Sequence, residues 1–404
     1  MNRFGLGVRI AGYDVGPWVV EGGSIEYGRS TVFEQPGAPT CHLTLFTREG
    51  WPQNPDAWFD YGVGTWGDTS GFNPAHDADD EYIGPRTPLF IGAPVWVAAT
   101  TTSGFLPDHD TQDTYMGAEF RRFTGKVQAI EYSRYRLDIV CAGDLEEWAR
   151  IGIMEAPSLP FDVEADTARA LDLAYRAGAP TTLHIEGNDG PLILSYTTSD
   201  YPICLLVALQ AIADDADGLL YQNREGNVTY RTHIWEGFGP TEYAVPSGIV
   251  NAETLDMVLE LGSAENTVVV EWGDPADYGG YQPIVQAQDS ALMQQYGVRR
   301  GYYTSQLTTQ VAADFHAHRI LQKQAPAWHL PDVELHMNLA TDRQVYDVCG
   351  LEQGDPVGIF DLPPGAPVPE VRTYVLGFTE DLTANDWVIT MHLAPAFYDW
   401  PENT

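Results

Sequence analysis

Two stretches far apart in the chain carry the same pattern, and this repetition constrains the fold more than any other feature. Gly92-Ala93-Pro94-Val95-Trp96-Val97 echoes Gly354-Asp355-Pro356-Val357-Gly358-Ile359. Each is followed by a glycine-centred strand signal, Phe123-Thr124-Gly125-Lys126-Val127 in the first copy and Val375-Leu376-Gly377-Phe378-Thr379 in the second. A turn and an alternating apolar run come next, at Leu137-Asp138-Ile139 and at Trp387-Val388-Ile389. The marker glycines lie 33 residues apart in the first copy and 23 in the second, and the difference falls in the polar stretch 101–117, read as a loop insertion. Proposed upstream partners are 24–28 and 41–46 for the first copy, and Thr267–Trp272 and Val333–Leu339 for the second. The expectation is two related small β-barrels within one polypeptide.

The rest of the chain supports a mainly β, α+β fold. With 39 Gly and 28 Pro spread along the length, short period-2 runs are set between turn residues. In 333–339, Val, Leu, Met and Leu share one face and Glu, His and Asn the other, a half-buried strand. Helices are expected in the middle. One covers 166–177, opened by Asp166 and stopped by Gly178-Ala179-Pro180; another covers about 201–214, with Ser199 and Asp200 as cap candidates and Pro202 in its first turn. Leu219-Leu220-Tyr221 and Val228-Thr229-Tyr230 flank a turn sequence and read as a hairpin. A third helix, about 308–323, carries a Leu307/Val311/Phe315 stripe and a second apolar side at Ala313, Ala317 and Ile320, so burial on two faces is expected. The expected division is a first barrel at 1–155, an α+β middle domain at 156–250, and a second barrel at 251–404 with a helical insertion near 285–330.

Composition excludes several functions. The balance of 21 Lys+Arg against 57 Asp+Glu gives a net charge of −36, which opposes stable nucleic-acid binding but suits a surface along which DNA slides. No apolar window is long enough for a membrane helix, and the N-terminus has no apolar core of a secretory signal. Cys41, Cys141, Cys204 and Cys349 are far apart and read as four buried thiols. The acidic clusters 77–81 and 108–113 do not have EF-hand spacing and read as solvated loops. His316 and His318 point apart on a helix, and His318 reads as a satisfied core or interface histidine. No nucleophile elbow, phosphate loop, dinucleotide fingerprint or zinc-protease pattern is present, so no catalytic, metal or cofactor residue is named. The remaining lead is arginine. Arg29, Arg121, Arg122, Arg299 and Arg300 are candidates for bidentate pairing with carboxylates on neighbouring chains.

The order of these pieces resembles the minor tail proteins of tailed phages, specifically the tail-tip (baseplate) hub proteins of long-tailed phages. The matching segments are Tyr27-Gly28-Arg29-Ser30-Thr31, Glu34-Gln35-Pro36, Gly92-Ala93-Pro94-Val95 and Phe123-Thr124-Gly125. Gly218-Leu219-Leu220-Tyr221, Glu225-Gly226-Asn227, Asp289-Ser290 and Tyr296-Gly297-Val298-Arg299 follow. Gly354-Asp355-Pro356-Val357, Leu362-Pro363-Pro364 and Tyr374-Val375-Leu376-Gly377, ending at Trp387, complete the set. The resemblance implies a virion structural protein with no enzymatic activity and no cofactor, forming a homotrimer. Two tail-tube-like barrels per chain would then make a pseudo-sixfold ring. Its implied partners are a distal tail protein or the tail tube, the tape measure protein and a central fibre, with DNA only in passage through an acidic lumen. Gly92, Val95, Val97, Gly354, Val357 and Ile359 would occupy equivalent places where strands of neighbouring chains meet. The last strand is expected to end near Leu393, leaving no room for an appended hydrolase. Rival expectations are a hexameric distal tail protein, which needs only one barrel per chain, and a glycan-binding or glycan-hydrolysing tail protein.

Overall fold

A computed structural model of the chain describes residues 4–11, 13–14, 19–29, 34–46, 91–101, 105–107, 114–116, 119–133, 136–153, 163–187, 190–194, 203–232, 243–245, 249–250, 255–259, 265–324, 328–360, 362, 365–383 and 386–395. The acidic clusters at 77–81 and 108–113, the cap candidates Ser199 and Asp200, and Pro202 lie outside the described residues.

The fold is mainly β. Strands β1 (Phe4–Ile10), β2 (Val19–Gly28), β3 (Thr40–Phe46), β4 (Pro94–Thr101), β5 (Glu119–Ser133) and β6 (Arg136–Ala142) form the first unit. They stand in the order β1-β4-β5-β6-β3-β2, each antiparallel to its neighbours. Period-2 alternation turns Leu137, Ile139 and Cys141 of β6 inward against Leu43 and Leu45 of β3 and Phe123 of β5.

The middle unit follows, with α1 (Asp144–Arg150), α2 (Asp166–Arg176), β7 (His184–Glu186), α3 (Leu205–Asp215), and the hairpin β8 (Leu219–Gln222) and β9 (Val228–Arg231). Its core gathers Trp148, Leu173, Leu209, Ile212 and Tyr230. Helix α2 opens at Asp166 as expected, and that residue is buried and accepts from Tyr230 Oη at 2.7 Å and Gly190 N at 2.7 Å. The second helix expectation needs correction. Helix α3 begins at Leu205 because Ile203 and Cys204 are held in a ladder with Gly152 and Ile153.

The second unit contains β10 (Tyr243–Val245) and β11 (Val258–Leu259). An inserted segment has β12 (Thr267–Glu271), β13 (Ile284–Gln288), α4 (Ser290–Tyr296), β14 (Arg300–Thr304) and α5 (Gln310–Lys323). The unit resumes with β15 (Trp328–His329), β16 (Asp332–His336), α6 (Asp342–Gly350), β17 (Pro356–Ile359), β18 (Val371–Leu382) and β19 (Trp387–Pro395). Its strand order is β10-β17-β18-β19-β16, with Val250 bridging Leu335 on the far edge of β16 and β11 pairing β15 beyond it.

The two units repeat one plan in detail. Gly92 N donates to Val127 O at 2.8 Å and Val127 N to Ala93 O at 2.9 Å; Gly354 N donates to Val375 O at 2.8 Å and Val375 N to Asp355 O at 3.0 Å. Both glycines are left-handed, with φ of 89° and 87°, which favours glycine over any side chain. A bulge falls immediately afterwards in both, between Val127 and Ala129 and between Val375 and Gly377. Val127 therefore corresponds to Val375. The structural partner of Gly125 is Thr373, each sitting opposite the valine of its Gly-x-Pro-Val motif, and Gly377 corresponds to Ala129. Aligning by glycine alone is off by four residues, because the ladder is anchored by the bonds to the Gly-x-Pro corner. One difference stands out: β10 runs parallel to β17, whereas β1 runs antiparallel to β4.

The strand Thr267–Glu271 is not the second copy's upstream partner. It belongs to a separate three-stranded sheet, β13-β12-β14, whose inner face packs on α5 around Val268, Val270, Ala313, Ala317 and Ile320. The true counterpart of β2 is the segment holding Val250 and β11, since Val19 pairs Leu45 as Val250 pairs Leu335. The inserted segment occupies the connection after it. Helix α5 is buried on one face only, with Val311 81% and Phe315 48% exposed, so the two-face expectation fails. The strand expected at 333–339 ends at His336 and continues as a 3₁₀ turn over Met337–Leu339, and the last strand runs to Pro395. Among the described residues no helix is long and apolar enough to cross a membrane.

Candidate functional site: the seam between the two units

The two units are joined edge to edge in a single 12-stranded sheet. Strand β18 makes this possible by having three neighbours. Strand β19 lies along one edge, while the other edge is shared by β17 over Val371–Tyr374 and by β2 over Gly377–Leu382. At the seam Gly28 faces Gly377, and Arg29 N donates to Leu376 O at 3.2 Å. A Cβ on Gly377 would lie 2.1 Å from Tyr27 O, and one on Gly28 2.3 Å from Leu376 O. Both glycines are required by the closeness of the backbones. The core is continuous across the seam: Ile25 and Tyr27 of the first unit share one cluster with Phe378, Trp387 and Ile389 of the second.

A buried polar node locks this junction. Arg122 on β5 forms a two-pronged ion pair with Glu380 on β18, Nε to Oε2 at 2.8 Å and Nη2 to Oε1, with both side chains fully buried. Trp387 Nε1 donates to Glu380 Oε2 at 3.2 Å, and the Arg122 guanidinium lies 5.4 Å from the Trp387 ring centroid. Tyr27 Oη donates to Arg122 O at 2.5 Å. Arg224, in the β8–β9 turn of the middle unit, adds a third participant. It donates through Nη1 to Leu351 O at 2.5 Å and Cys349 O at 2.9 Å, stacks 4.2 Å over Phe378, and stands 3.7 Å from Glu380. Burial pushes the Glu380 carboxyl up, but the Arg122 and Arg224 guanidinium groups outweigh it and hold the carboxyl below its ordinary value. Burial likewise opposes charge on Arg122, and Glu380 reverses that effect.

Further bonds seat the middle unit on the seam. Arg231, paired within its own unit to Glu186 at 2.7 Å, reaches Asp355 of the second unit at 2.8 Å, while Gln222 Nε2 donates to Thr124 O at 3.2 Å. A second node ties the middle unit to the inserted segment: Asp217 accepts from Lys323 at 3.0 Å and lies 3.2 Å from His316 Nδ1. Asp217 holds a left-handed φ of 53°, and neighbouring Asp215 accepts from Gln306 N at 3.0 Å.

The five arginines are not gathered into one patch. Arg122 is not a surface residue; it is 0% exposed and paired within its own chain, because its β5 position points into the core. Arg121, one residue along, is exposed and lies 5.8 Å over Trp96. Arg29 donates to Glu34 O at 2.8 Å, and burial lowers its guanidinium to about 10. Arg299 is half-buried and Arg300 exposed, both in the inserted segment. Gly92 is exposed and Gly354 buried, while Val95, Val97, Val357 and Ile359 fill the chain's own core. Strands β4 and β17 are each flanked on both edges within the chain, so neither can offer an edge to a neighbouring copy as expected. The cysteines are free; Cys41 and Cys141 are buried and Cys204 and Cys349 only half-buried. His318 is half-buried and bonded to Asp314 O at 2.8 Å, while His316 two residues earlier is buried. Among the described residues no cluster of three or more metal-ligating side chains occurs.

Sequence reasoning missed Glu380, Arg224 and Asp217. Glu380 left a readable trace: it is the lone carboxylate at an inward position of a strand otherwise filled by Tyr374, Val375, Leu376, Phe378 and Leu382. Its partners lie 258 residues upstream at Arg122 and in a hairpin turn, which no local pattern reveals.

This strand plan defines a β-rich α+β fold found in tail proteins of phages and prophages. The chain is similar to the tail protein from Neisseria meningitidis MC58, with a TM-score of 0.62 and 11% identity over 97% of this chain and 96% of that one. It is also similar to the 43 kDa tail protein of prophage MuSo2 from Shewanella oneidensis, with TM-score 0.53 and 11% identity over 97% and 98% of the two chains. Prophage tail protein gp18 from Listeria monocytogenes EGD-e gives 0.51 and 9% over 96% and 94%. No protein-family model and no curated protein sequence matches the chain.

Proposed function

We propose that the chain is a structural protein of a phage-type tail tip: a hub in which three copies, each supplying two equivalent units, build a ring of pseudo-sixfold symmetry. The observation that supports it most is the seam. One chain contains the same strand plan twice, and the second copy is fused to the first by sheet pairing, as successive subunits of a ring would be. The proposed division, shifted from the expected boundaries at 155 and 250, is a first unit ending with β6 at Ala142, a middle domain from α1 to β9 at Arg231, and a second unit from β10 onward that contains the insertion. Such a ring would sit between the tail tube or distal tail ring and a central fibre, in contact with the tape measure protein, within the virion. The role is scaffolding rather than catalysis. The net charge of −36 suits a wall that DNA passes without adhering.

The test is the symmetry of the native assembly. Mass by native mass spectrometry and class averages by electron microscopy should give three chains and six similar lobes, with an acidic lumen. Six chains per ring would favour a distal tail ring instead, and a chain that stays single at every concentration and binds glycans would favour the receptor-binding reading.

A further inference from the structure

The inserted segment is built as a body of its own. Its core, which includes Val268, Val270, Val285, Ala313, Ala317 and Ile320, shares no residue with the core of the middle unit. Its two ends are clasped together. Glu265 N donates to Gln324 Oε1 at 2.5 Å, Gln324 Nε2 to Glu265 Oε2 at 2.9 Å, and Tyr303 Oη to the same oxygen at 2.8 Å. A folded segment that begins and ends at one point is joined to its host through a neck. The bonds that hold it against the middle unit are polar. Gln306 N, between β14 and α5, donates to Asp215, while His316 and Lys323, two turns apart on one face of α5, both reach Asp217.

The acceptor end of this contact is built against local rules. Helix α3 stops in a Schellman motif, with Gly218 N donating to Ala213 O at 2.7 Å and Asp217 N to Asp214 O at 3.2 Å. The left-handed position of that motif ordinarily takes glycine. Here it is Asp217, and glycine comes one residue late, at 218. Asp214, Asp215 and Asp217 also crowd the negative end of the helix dipole, where carboxylates are disfavoured. Asp214 is answered from the first unit, by Gln35 Nε2 at 2.7 Å. Asp215 and Asp217 are answered by the inserted segment. The end of α3 is therefore completed by a body that hangs on a neck. A strained residue whose partners lie on a separate body points to a two-position device, because simple capping would be done better by glycine.

We infer that this contact is a latch: Asp215 and Asp217 hold the inserted segment against the middle unit, and when they release α5 the segment swings away as one body. Bodies joined by polar bonds rather than by a shared apolar core move relative to one another at low cost. The latch stands whether or not the chain forms a ring.

Asp217→Gly in the full chain separates a latch from a cap. It supplies the residue that the helix end favours and removes the acceptor of His316 and Lys323. Hydrogen exchange should speed about tenfold at Gln306, whose amide bridges the junction to Asp215. Val268 and Val270 in β12 should change less than about twofold, because the segment keeps its core, and α3 should keep or gain protection. Spin labels at Tyr175→Cys and Tyr281→Cys, exposed sites on the middle unit and the inserted segment, should show a second, longer separation in the variant; Cys204→Ser and Cys349→Ser remove the half-buried thiols. Lys323→Gln leaves α3 unaltered and should release the same amide by a smaller factor. Unchanged exchange at Gln306 with a single separation overturns the latch. So does a loss of protection in β12, which would mean that the segment unfolds in place. Loss of protection in α3 would make Asp217 a helix cap and nothing more, and overturns it as well.

Discussion

The first and second units are the same six-stranded plan put to different uses. In the first, β2 is a ten-residue strand paired on both edges, to β3 within its unit and to β18 across the seam. In the second, the described part of the equivalent segment is the Val250 bridge and the two-residue β11, and the connection after it admits a complete folded segment with its own core. In the second unit α6 fills the connection between β16 and β17. The strands that carry Gly-x-Pro-Val and the bulge stay alike because they set the sheet's curvature; the connections vary because they run over its surface. The difference teaches that the strands carry the shared plan while the connections carry the variation.

The sharpest way to break the comparison is to remove the charge that only the second unit contributes. Glu380→Ala removes the carboxylate that Arg122 and Arg224 share, and it should cost about 3–5 kcal/mol. Urea denaturation at neutral pH measures this, and a loss under 1 kcal/mol would mean that the node is solvated. Next in size is Gly377→Ala. Its Cβ would meet Tyr27 O at 2.1 Å, so the seam must part locally, at about 2–3 kcal/mol. Ala129, its first-unit counterpart, already carries a Cβ. Gly92→Ala is the control, because no atom lies within 4 Å of its Cβ. Only the left-handed backbone opposes it, at about 1–2 kcal/mol.

Much of this plan was legible in the sequence. Gly-x-Pro-Val at 92 and at 354 marked both units, and alternation located β3, β6, β16 and β19, because a half-buried strand writes its burial directly into period 2. What was not legible was long-range. Thr267–Glu271 has a strand's composition, yet nothing local says which sheet it joins. Arg122 looked like surface because it sits beside Arg121, although in a strand adjacent residues face opposite ways. Gly377 was noticed but paired with the wrong partner: its reason for being glycine lies across the seam at Tyr27, not in its own repeat.

The node between the middle unit and the inserted segment should respond to pH. Burial raises the Asp215 carboxyl to about 7, and His316 is raised because Asp217 outweighs the burial that lowers it. For both groups the folded value exceeds the unfolded one. The stability they contribute is therefore complete below their ordinary values and is lost as pH rises through the folded ones. Asp217 is lowered, because Lys323 and His316 overcome its burial, so its contribution fades only in strong acid. Going from pH 6 to pH 8 should loosen α5. Amide exchange in Gln310–Lys323, corrected for intrinsic rate, should rise across that interval, and Asp215→Asn should flatten the rise. A profile that falls between pH 6 and pH 8 would contradict the assignment.

The smallest effect belongs to the residue beside the largest. Arg121 and Arg122 are adjacent on β5, but Arg121 lies in solvent over Trp96, shared with Arg9, whose guanidinium is 4.9 Å from the same ring. An exposed cation over an aromatic face is worth about 0.5–1 kcal/mol, and with Arg9 still in place Arg121→Ala should lose no more than that. Arg122→Ala strands Glu380 in the core and should cost several times as much, about 3–5 kcal/mol. Measuring both in one denaturant series separates the face of β5 that holds the chain together from the face turned outward. Equal losses would mean that Arg122 is not buried at the seam.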